Sequence, residues 1–537
     1  MFSKNFFGLR GKKLNRLVVA TAGMAFLLFG YDQGVMGSLL TLPTFTKQFP
    51  KLDTVHTKGK MRTHNATLQG TAVAIYEIGG MFGAIASLFL GDKLGRLRMI
   101  FFGHAIIILG AILQSSAYGL PQFIIARIVT GLGTGVNTVT IPIWQAESSK
   151  SSDRGMYLMI EGAMITGGVA LSYWLDYGFK FVTTSTVSWR FPIAFQAVFA
   201  IFVCLVVLDM PESPRWLMKQ NRPEEARRAM EALYADEDQH PIEADLNEIQ
   251  LVLEVSEEST WRSMFSNNNP TKNLHRLCIG LAHSVFHQIC GINLIVYYAA
   301  TIYQQYLGLN ANQSRIITAS VNGTGYFLAS FIAVFLIERV GRRKLMLTGS
   351  FGQMMGMAVL AGVTAFPGKK GPGAAGAVFL YVVQFFFAVG WLAMVWLYPA
   401  EVVPLRIRAK ASGLMVAVTW VFNFLIVEIT PISLSSIGYR TYIIFVVLNA
   451  FIFICVYLFF PETAYRSLEE IDAIFANSHG IRDVVRVSKT LPHLHGKHGE
   501  MLANIEDTKA MFEHELMEGK EADLSAVHRE AVAPKLQ

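Results

Sequence analysis

The stretch Phe26-Leu27-Leu28-Phe29-Gly30-Tyr31-Asp32-Gln33-Gly34-Val35-Met36-Gly37 sets one carboxylate inside a run that is otherwise almost all apolar. The run extends from about Leu17 to Leu40, and roughly 20 residues of helix cross a bilayer. A charge at mid-membrane depth costs at least about 2.5–3.5 kcal/mol. Asp32 must therefore face a cavity, a partner or both.

The whole chain has the same character. Of its 537 residues 52% are hydrophobic and only 16% are charged, against about 25% charged in soluble proteins. A large soluble enzyme would not repeat uncharged apolar runs of this length without a polar stripe. Spans are predicted at 17–41, 69–90, 99–117, 121–146, 158–178, 190–209, 273–306, 314–337, 345–366, 374–398, 411–435 and 438–460. We number them 1 to 12. The predicted fold is an all-α integral membrane protein of twelve transmembrane helices in two six-helix halves, 17–209 and 273–460. A linker, 210–272, and a tail, 461–537, complete it. Helical spacing in Arg222–Leu233, Ile242–Glu254 and Leu468–Phe475 predicts short amphipathic helices in these polar segments. No nucleophile–base pair or metal-ligand cluster stands in any span, so neither an enzyme nor a cofactor is expected. The histidines at 493, 495 and 498 read as part of a solvated tail.

Charge sets the orientation. Lys4, Arg10, Lys12, Lys13 and Arg16 precede span 1 and place residues 1–16 in the cytosol. The loops after spans 2, 4, 8 and 10 are basic as well. Both termini are then cytosolic, and the net charge of +7 does not point to nucleic acid, because the basic residues sit between apolar runs, where cytosolic loops of proteins embedded in a lipid bilayer collect them. Cys204, Cys278, Cys290 and Cys455 lie in or beside apolar runs and read as small hydrophobes. Span 1 lacks a cleavage site and reads as retained. Asn65 and Asn312 sit in glycosylation sequons on the predicted external side.

The chain is duplicated. Gly91-Asp92-Lys93-Leu94-Gly95-Arg96 after span 2 matches Ile337-Glu338-Arg339-Val340-Gly341-Arg342 after span 8. Glu147 with Arg154 after span 4 matches Glu401 with Arg408 after span 10. Pro211-Glu212-Ser213 after span 6 matches Pro461-Glu462-Thr463 after span 12. Gly95 to Gly341, Glu147 to Glu401 and Pro211 to Pro461 are offsets of 246, 254 and 250 residues. Each carries span n onto span n+6. Two such halves around a midplane cavity are the architecture of a rocking transporter. The acids and bases at these helix ends, Arg215 included, can pair within a half or across the two halves, and would hold the cytosolic side shut in one state.

These patterns resemble the sugar porter family of the major facilitator superfamily, over about residues 17–475. The matches include Gly30-Tyr31-Asp32, Arg127 with Gly131, Gly133 and Gly135, and Pro211-Glu212-Ser213-Pro214-Arg215-Trp216-Leu217. They continue with Gln288-Ile289-Cys290-Gly291-Ile292-Asn293, Tyr297-Tyr298 and Pro461-Glu462-Thr463. Ile141-Pro142-Ile143-Trp144-Gln145-Ala146-Glu147 and Tyr173-Trp174-Leu175-Asp176-Tyr177-Gly178 are similar to the fungal branch, which contains proton-coupled hexose and pentose transporters and glycerol/proton symporters.

A sugar site needs amides, which donate and accept at once, and an aromatic platform. Gln288 and Asn293 are about 140° apart on an ideal helix, so sharing a cavity asks for a broad site or a break, which Gly291 permits. The resemblance implies substrate roles for Phe29, Gln288, Asn293, Tyr297, Asn322, Trp396 and Asn423. Three departures bear on specificity. His287 stands where the family has a first glutamine, Glu161 replaces a span 5 glutamine, and no glycine-proline pair precedes Trp396. His287 and Glu161 could bind hydroxyls, pair with each other or titrate. Arg127 is the natural partner of Asp32, and proton-coupled members of the family keep this carboxylate. The expected function is a plasma-membrane proton/monosaccharide symporter. Polyol symport and facilitated diffusion are the alternatives, and a non-transporting sensor is a remoter one.

Overall fold

The computed structural model describes residues 5–149, 154–236, 242–257, 261–267, 271–366, 370–404 and 406–491. The side chains of Arg154 and Glu338, and the histidines at 493, 495 and 498, lie outside the described residues.

Among the described residues twelve helices are long and apolar enough to cross a membrane. They are Gly11–Leu39, Gly59–Leu94, Arg96–Ser115, Leu120–Glu147, Gly155–Phe179 and Val187–Val207, then Asn273–Gln305, Ala311–Ile337, Arg342–Thr364, Gly373–Val402, Lys410–Ile437 and Arg440–Phe459. Helix is the physical answer to lipid, because every backbone N–H and C=O must be satisfied within the segment. An even number of spans leaves residues 11 and 459 at the same end of the bundle, here called the base; the opposite end is the crown.

The first loop is shorter than hydropathy suggests. The apolar pattern leaves 43–68 as a long loop, but span 2 begins at Gly59, and Pro43–Gln48 is itself helical. The added turns are polar and rest on protein: Arg62 Nη2 donates to Gln305 Oε1 at 2.6 Å and to the Tyr306 hydroxyl at 2.9 Å. Hydropathy cannot find helix that stands outside the apolar layer.

Among the described residues three spans have a break or a π-helical stretch. Span 7 divides into Asn273–Ile289 and Ile292–Gln305, with Gly291 between them at φ +94°. Span 8 has a π-helical stretch, Thr318–Thr324. Span 10 breaks between Gly390 and Met394. All three lie in the second half, and each breaks the backbone close to a polar or aromatic residue of interest.

Spans 2 and 4 approach until their backbones touch. A Cβ added at Gly131 would meet the Tyr76 carbonyl, and one at Gly135 the Gly80 carbonyl. This close seam brings the side chains of span 2 against Arg127. In the polar segments, helices Pro223–Leu233 and Ile242–Glu257 follow span 6, and Leu468–Ala476 and Asp483–Thr490 follow span 12. The last pair covers the base, where Arg276 of span 7 pairs with Asp472.

Candidate functional site

Asp32 and Arg127 face each other in the first half. Arg127 Nη1 donates to Asp32 Oδ1 at 3.2 Å, and side-chain exposures are 0% for Arg127 and 2% for Asp32. The guanidinium also donates from Nη2 to the Val73 carbonyl at 3.0 Å and lies over the Tyr76 ring, 4.6 Å from its centroid. Arg127 is thus held by three groups, whereas Asp32 Oδ2 has no hydrogen-bond partner among the described residues. A buried pair of this kind contributes little net stability, because desolvation offsets the Coulomb attraction.

Beside this pair, between the two halves, lies a cavity with about 970 Å³ of empty space, part of it continuous with the surroundings. Phe29 lines it from span 1, and His287, Gln288 and Asn293 from the break in span 7. Trp396 contributes from span 10, and Trp420 and Asn423 from span 11. The break at Gly291 carries out the convergence that an ideal helix forbids: Asn293 Nδ2 donates to Gln288 Oε1 at 2.7 Å and to Asn423 Oδ1 at 2.6 Å. The two indoles are joined through Phe26 and Phe29 in one aromatic chain. Trp396 meets Phe26 edge-on at 5.3 Å, and Trp420 meets Phe29 at 5.6 Å.

Three expected site residues lie elsewhere. Glu161 is fully buried, but it does not line the cavity and neither of its oxygens has a hydrogen-bond partner among the described residues. It therefore does not pair with His287, whose Nδ1 instead meets Gln288 Nε2 at 3.2 Å. Asn322 lies in the π-helical stretch and bonds the Tyr303 hydroxyl and Gln384 Oε1, both at 2.5 Å. Tyr297 is buried behind the cavity, where its hydroxyl donates to Glu77 Oε1 at 2.7 Å. Glu77 is a residue that sequence reasoning missed. It is a lone carboxylate in span 2, so the cost rule applied to Asp32 flags it equally; Asp176 in span 5 and Glu428 in span 11 are of the same kind.

The crown side of the cavity is closed. Half-helix Ile292–Tyr303 is buried throughout. The Tyr173 hydroxyl donates to the Val296 carbonyl at 2.5 Å, and Arg315 Nη2 to the Thr41 carbonyl at 2.6 Å. Both bonds join one half to the other.

At the base the duplicated motifs build the same network twice. Arg96 Nε donates to Glu147 Oε2 at 3.1 Å, and Glu212 accepts the backbone N–H groups of Arg96 and Leu97 at 3.1 and 3.2 Å. Arg342 Nη2 meets Glu401 at 3.0 Å, and Glu462 accepts the N–H groups of Arg342 and Arg343 at 2.8 and 3.2 Å. The Ser213 and Thr463 hydroxyls each reach the neighbouring glutamate, Glu147 or Glu401, at 2.6 Å. Glu212 and Glu462 thus each cap a helix N-terminus, where N–H groups are unsatisfied and the helix dipole favours negative charge. Asp92 adds bonds to Arg96 at 3.4 Å and Lys219 at 2.7 Å. Arg408 donates to the Val403 carbonyl. These bonds stay within a half rather than crossing between halves.

The two sequons differ. Asn65 is 3% exposed, and its amide donates to the Pro50 and Asp53 carbonyls at 3.3 and 2.8 Å. In this fold the nitrogen that would carry the glycan is bonded inside the protein. Asn312 is exposed.

A family model described as "Sugar (and other) transporter" matches residues 17–475. The sugar transporter STL1 of Saccharomyces cerevisiae is 37% identical over 489 residues, 88% of this chain and 83% of that protein. The galactose transporter of the same yeast is 31% identical over 476 residues, 86% of this chain and 80% of that protein. Among solved structures, the proton:xylose symporter XylE matches with a TM-score of 0.73 at 22% identity, covering 87% of this chain and 100% of that one; this is a likeness of fold. Since the family match begins within the helix that carries Asp32 and ends past the last span, the chain belongs to the sugar transporter family of the major facilitator superfamily and is a multi-pass membrane transporter, not an enzyme.

Proposed function

We propose that the chain is a proton-coupled symporter that imports monosaccharides, hexoses such as glucose or the pentose xylose, across the plasma membrane by alternating access, with both termini cytosolic. One observation carries the reading: a fully buried carboxylate–guanidinium pair stands beside a cavity of amides and aromatic rings. A facilitator needs the cavity but has no use for the costly pair. Protonation of Asp32 removes the Coulomb attraction to Arg127 and frees span 1 to move against span 4. Sugar binding to the protonated form then favours closure of the crown, and loss of the proton at the base restores the pair. The galactose and proton:xylose transporters among the similar proteins agree with this substrate class.

Adding substrate to deenergised cells is expected to alkalinise the medium, and clear uptake with no pH change would leave a facilitator. Asp32→Asn is expected to keep exchange of labelled sugar while losing uphill accumulation; accumulation that survives removes Asp32 from coupling.

A glycerol or short-polyol substrate is the second reading. It is favoured by the polar groups that turn away from the cavity: Asn322 is spent on Tyr303 and Gln384, and Glu161 does not line the space. Competition of labelled glucose uptake by xylose, glycerol and mannitol in a transport-null host separates the two.

A further inference from the structure

The exchange of a proton between Asp32 and its pair with Arg127 leaves the buried carboxylate of Glu77 unused. It stands on span 2 with 0% exposure, next to Tyr76, whose ring lies under Arg127. Its Oε1 accepts the Tyr297 hydroxyl of span 7 at 2.7 Å, a bond that joins the first half to the second. Its Oε2 has no hydrogen-bond partner among the described residues. An amide at this position would accept the same hydroxyl without the risk of a buried charge, so the carboxylate needs its own reason.

The surrounding charges supply one. From span 1 Asp32 faces the site, and from span 4 Arg127, already bonded to Asp32. Span 7 brings the Tyr297 and Tyr298 hydroxyls. Span 11 brings Asn423 and, five residues on, Glu428, which accepts from Thr71 at 2.8 Å. One buried cation thus serves two deeply buried carboxylates. With both ionised the cluster holds a net negative charge in a dry place, and a buried uncompensated charge is costly. One proton makes it neutral, and two carboxylates near one cation titrate as a unit. A protonated Glu77 can donate to the Tyr297 oxygen, so the bond between the halves survives neutralisation.

Tyr297 also sits four residues after Asn293, on the same half-helix. Asn293 is bonded to Gln288 and Asn423 at the cavity wall. The segment that meets the sugar cavity is therefore the segment that Glu77 grips. We infer that Glu77 is a second proton-binding carboxylate that, through Tyr297, latches the crown shut only when the proton is aboard. This deepens the symport reading and rests on it: proton and substrate act on one half-helix, Ile292–Gln305, from opposite sides. Glu77 is a positioning residue in this scheme, acting on the gate and not on the substrate.

The test reads the latch without a substrate. A cysteine replaces Leu40, which is 1% exposed and one turn past the point where Gly37 meets the Val296 carbonyl, in a chain whose four native cysteines are replaced. Maleimide labelling of the purified full-length chain is followed from about pH 5 to about pH 8 and expressed relative to Glu77→Gln at the same pH, which cancels the titration of the thiol itself. The expected result is that relative labelling rises about tenfold with pH, the size of a gate population shifted by one proton. Glu77→Asp, which keeps a carboxylate, is expected to retain the rise, and Tyr297→Phe to lose it. A relative rate that stays flat overturns the latch, as does a Glu77→Asp variant indistinguishable from Glu77→Gln. Medium alkalinisation by the wild-type chain is scored separately. A latch that follows pH without proton uptake removes the symport reading alone, and proton uptake without a latch removes Glu77 alone.

Discussion

Asp32, Glu77 and Glu161 are three acids under one physical rule, and they show what that rule reaches. The cost of a charge in hydrocarbon says that each needs an excuse; it does not say which excuse. Asp32 found a guanidinium, Glu77 a tyrosine on the other half, and Glu161 no hydrogen-bond partner among the described residues. Pairing is legible when the partner is another rare charge, as Arg127 is, because few candidates exist. It is not legible when the partner is one of eighteen tyrosines. The sequons differ for a related reason, since a three-residue pattern carries no burial: Asn65 is buried and Asn312 is exposed. Asn65→Gln is expected to leave electrophoretic mobility unchanged, while Asn312→Gln removes the shift that glycosidase treatment removes. A mobility change in the Asn65 variant alone would contradict the bonded, buried amide at that position.

At the scale of the element, apolar runs locate helices and say little about how each is turned. Among the described residues all twelve spans overlap the runs that hydropathy marks, and the start of span 2 lies ten residues earlier, at Gly59 rather than 69, where polar turns rest on protein. The facing of side chains depends on the irregular stretches. One extra residue in a π-turn rotates the rest of the helix by about 100°, and Asn322 lies inside such a stretch. Span 10 breaks without the glycine-proline pair that usually marks a break. Trp391 stands at the break, its Nε1 bonded to the Ser350 hydroxyl at 3.1 Å and its ring stacked on His283 at 5.3 Å. Long-range contacts of this kind leave no local signature. Gly291 is the legible case. Its φ of +94° and the Phe445 ring beside it leave no room for a side chain. Gly291→Ala adds strain of about 1–2 kcal/mol and parts Gln288 from Asn293. The expected outcome is a KM for the transported sugar raised about tenfold, which is about 1.4 kcal/mol of binding, with the protein still present in the membrane. A KM equal to that of the wild type would mean that the two amides do not act together on substrate.

For the whole molecule, the duplication has an energetic content beyond its sequence offsets. The sequence left open whether the repeated acids and bases bond within a half or across the halves. In this crown-closed structure the bonds described above run within each half, from the end of span 4 to the start of span 3 and the loop after span 6, and likewise from span 10 to span 9 and the loop after span 12. Each half is then a rigid body stitched at its base, and rocking need not break those stitches. Residues in one bonded network couple by about 0.5–3 kcal/mol, whereas distant sites add within about 0.5 kcal/mol. A double-mutant cycle on thermal unfolding should therefore show coupling between Arg96→Ala and Glu147→Ala, and between Arg342→Ala and Glu401→Ala. Glu147→Ala with Glu401→Ala should be additive under the same conditions. Strong coupling in that last pair would mean that the two bases bond to each other across the interface, and that opening the base has to break bonds which this structure assigns to the separate halves.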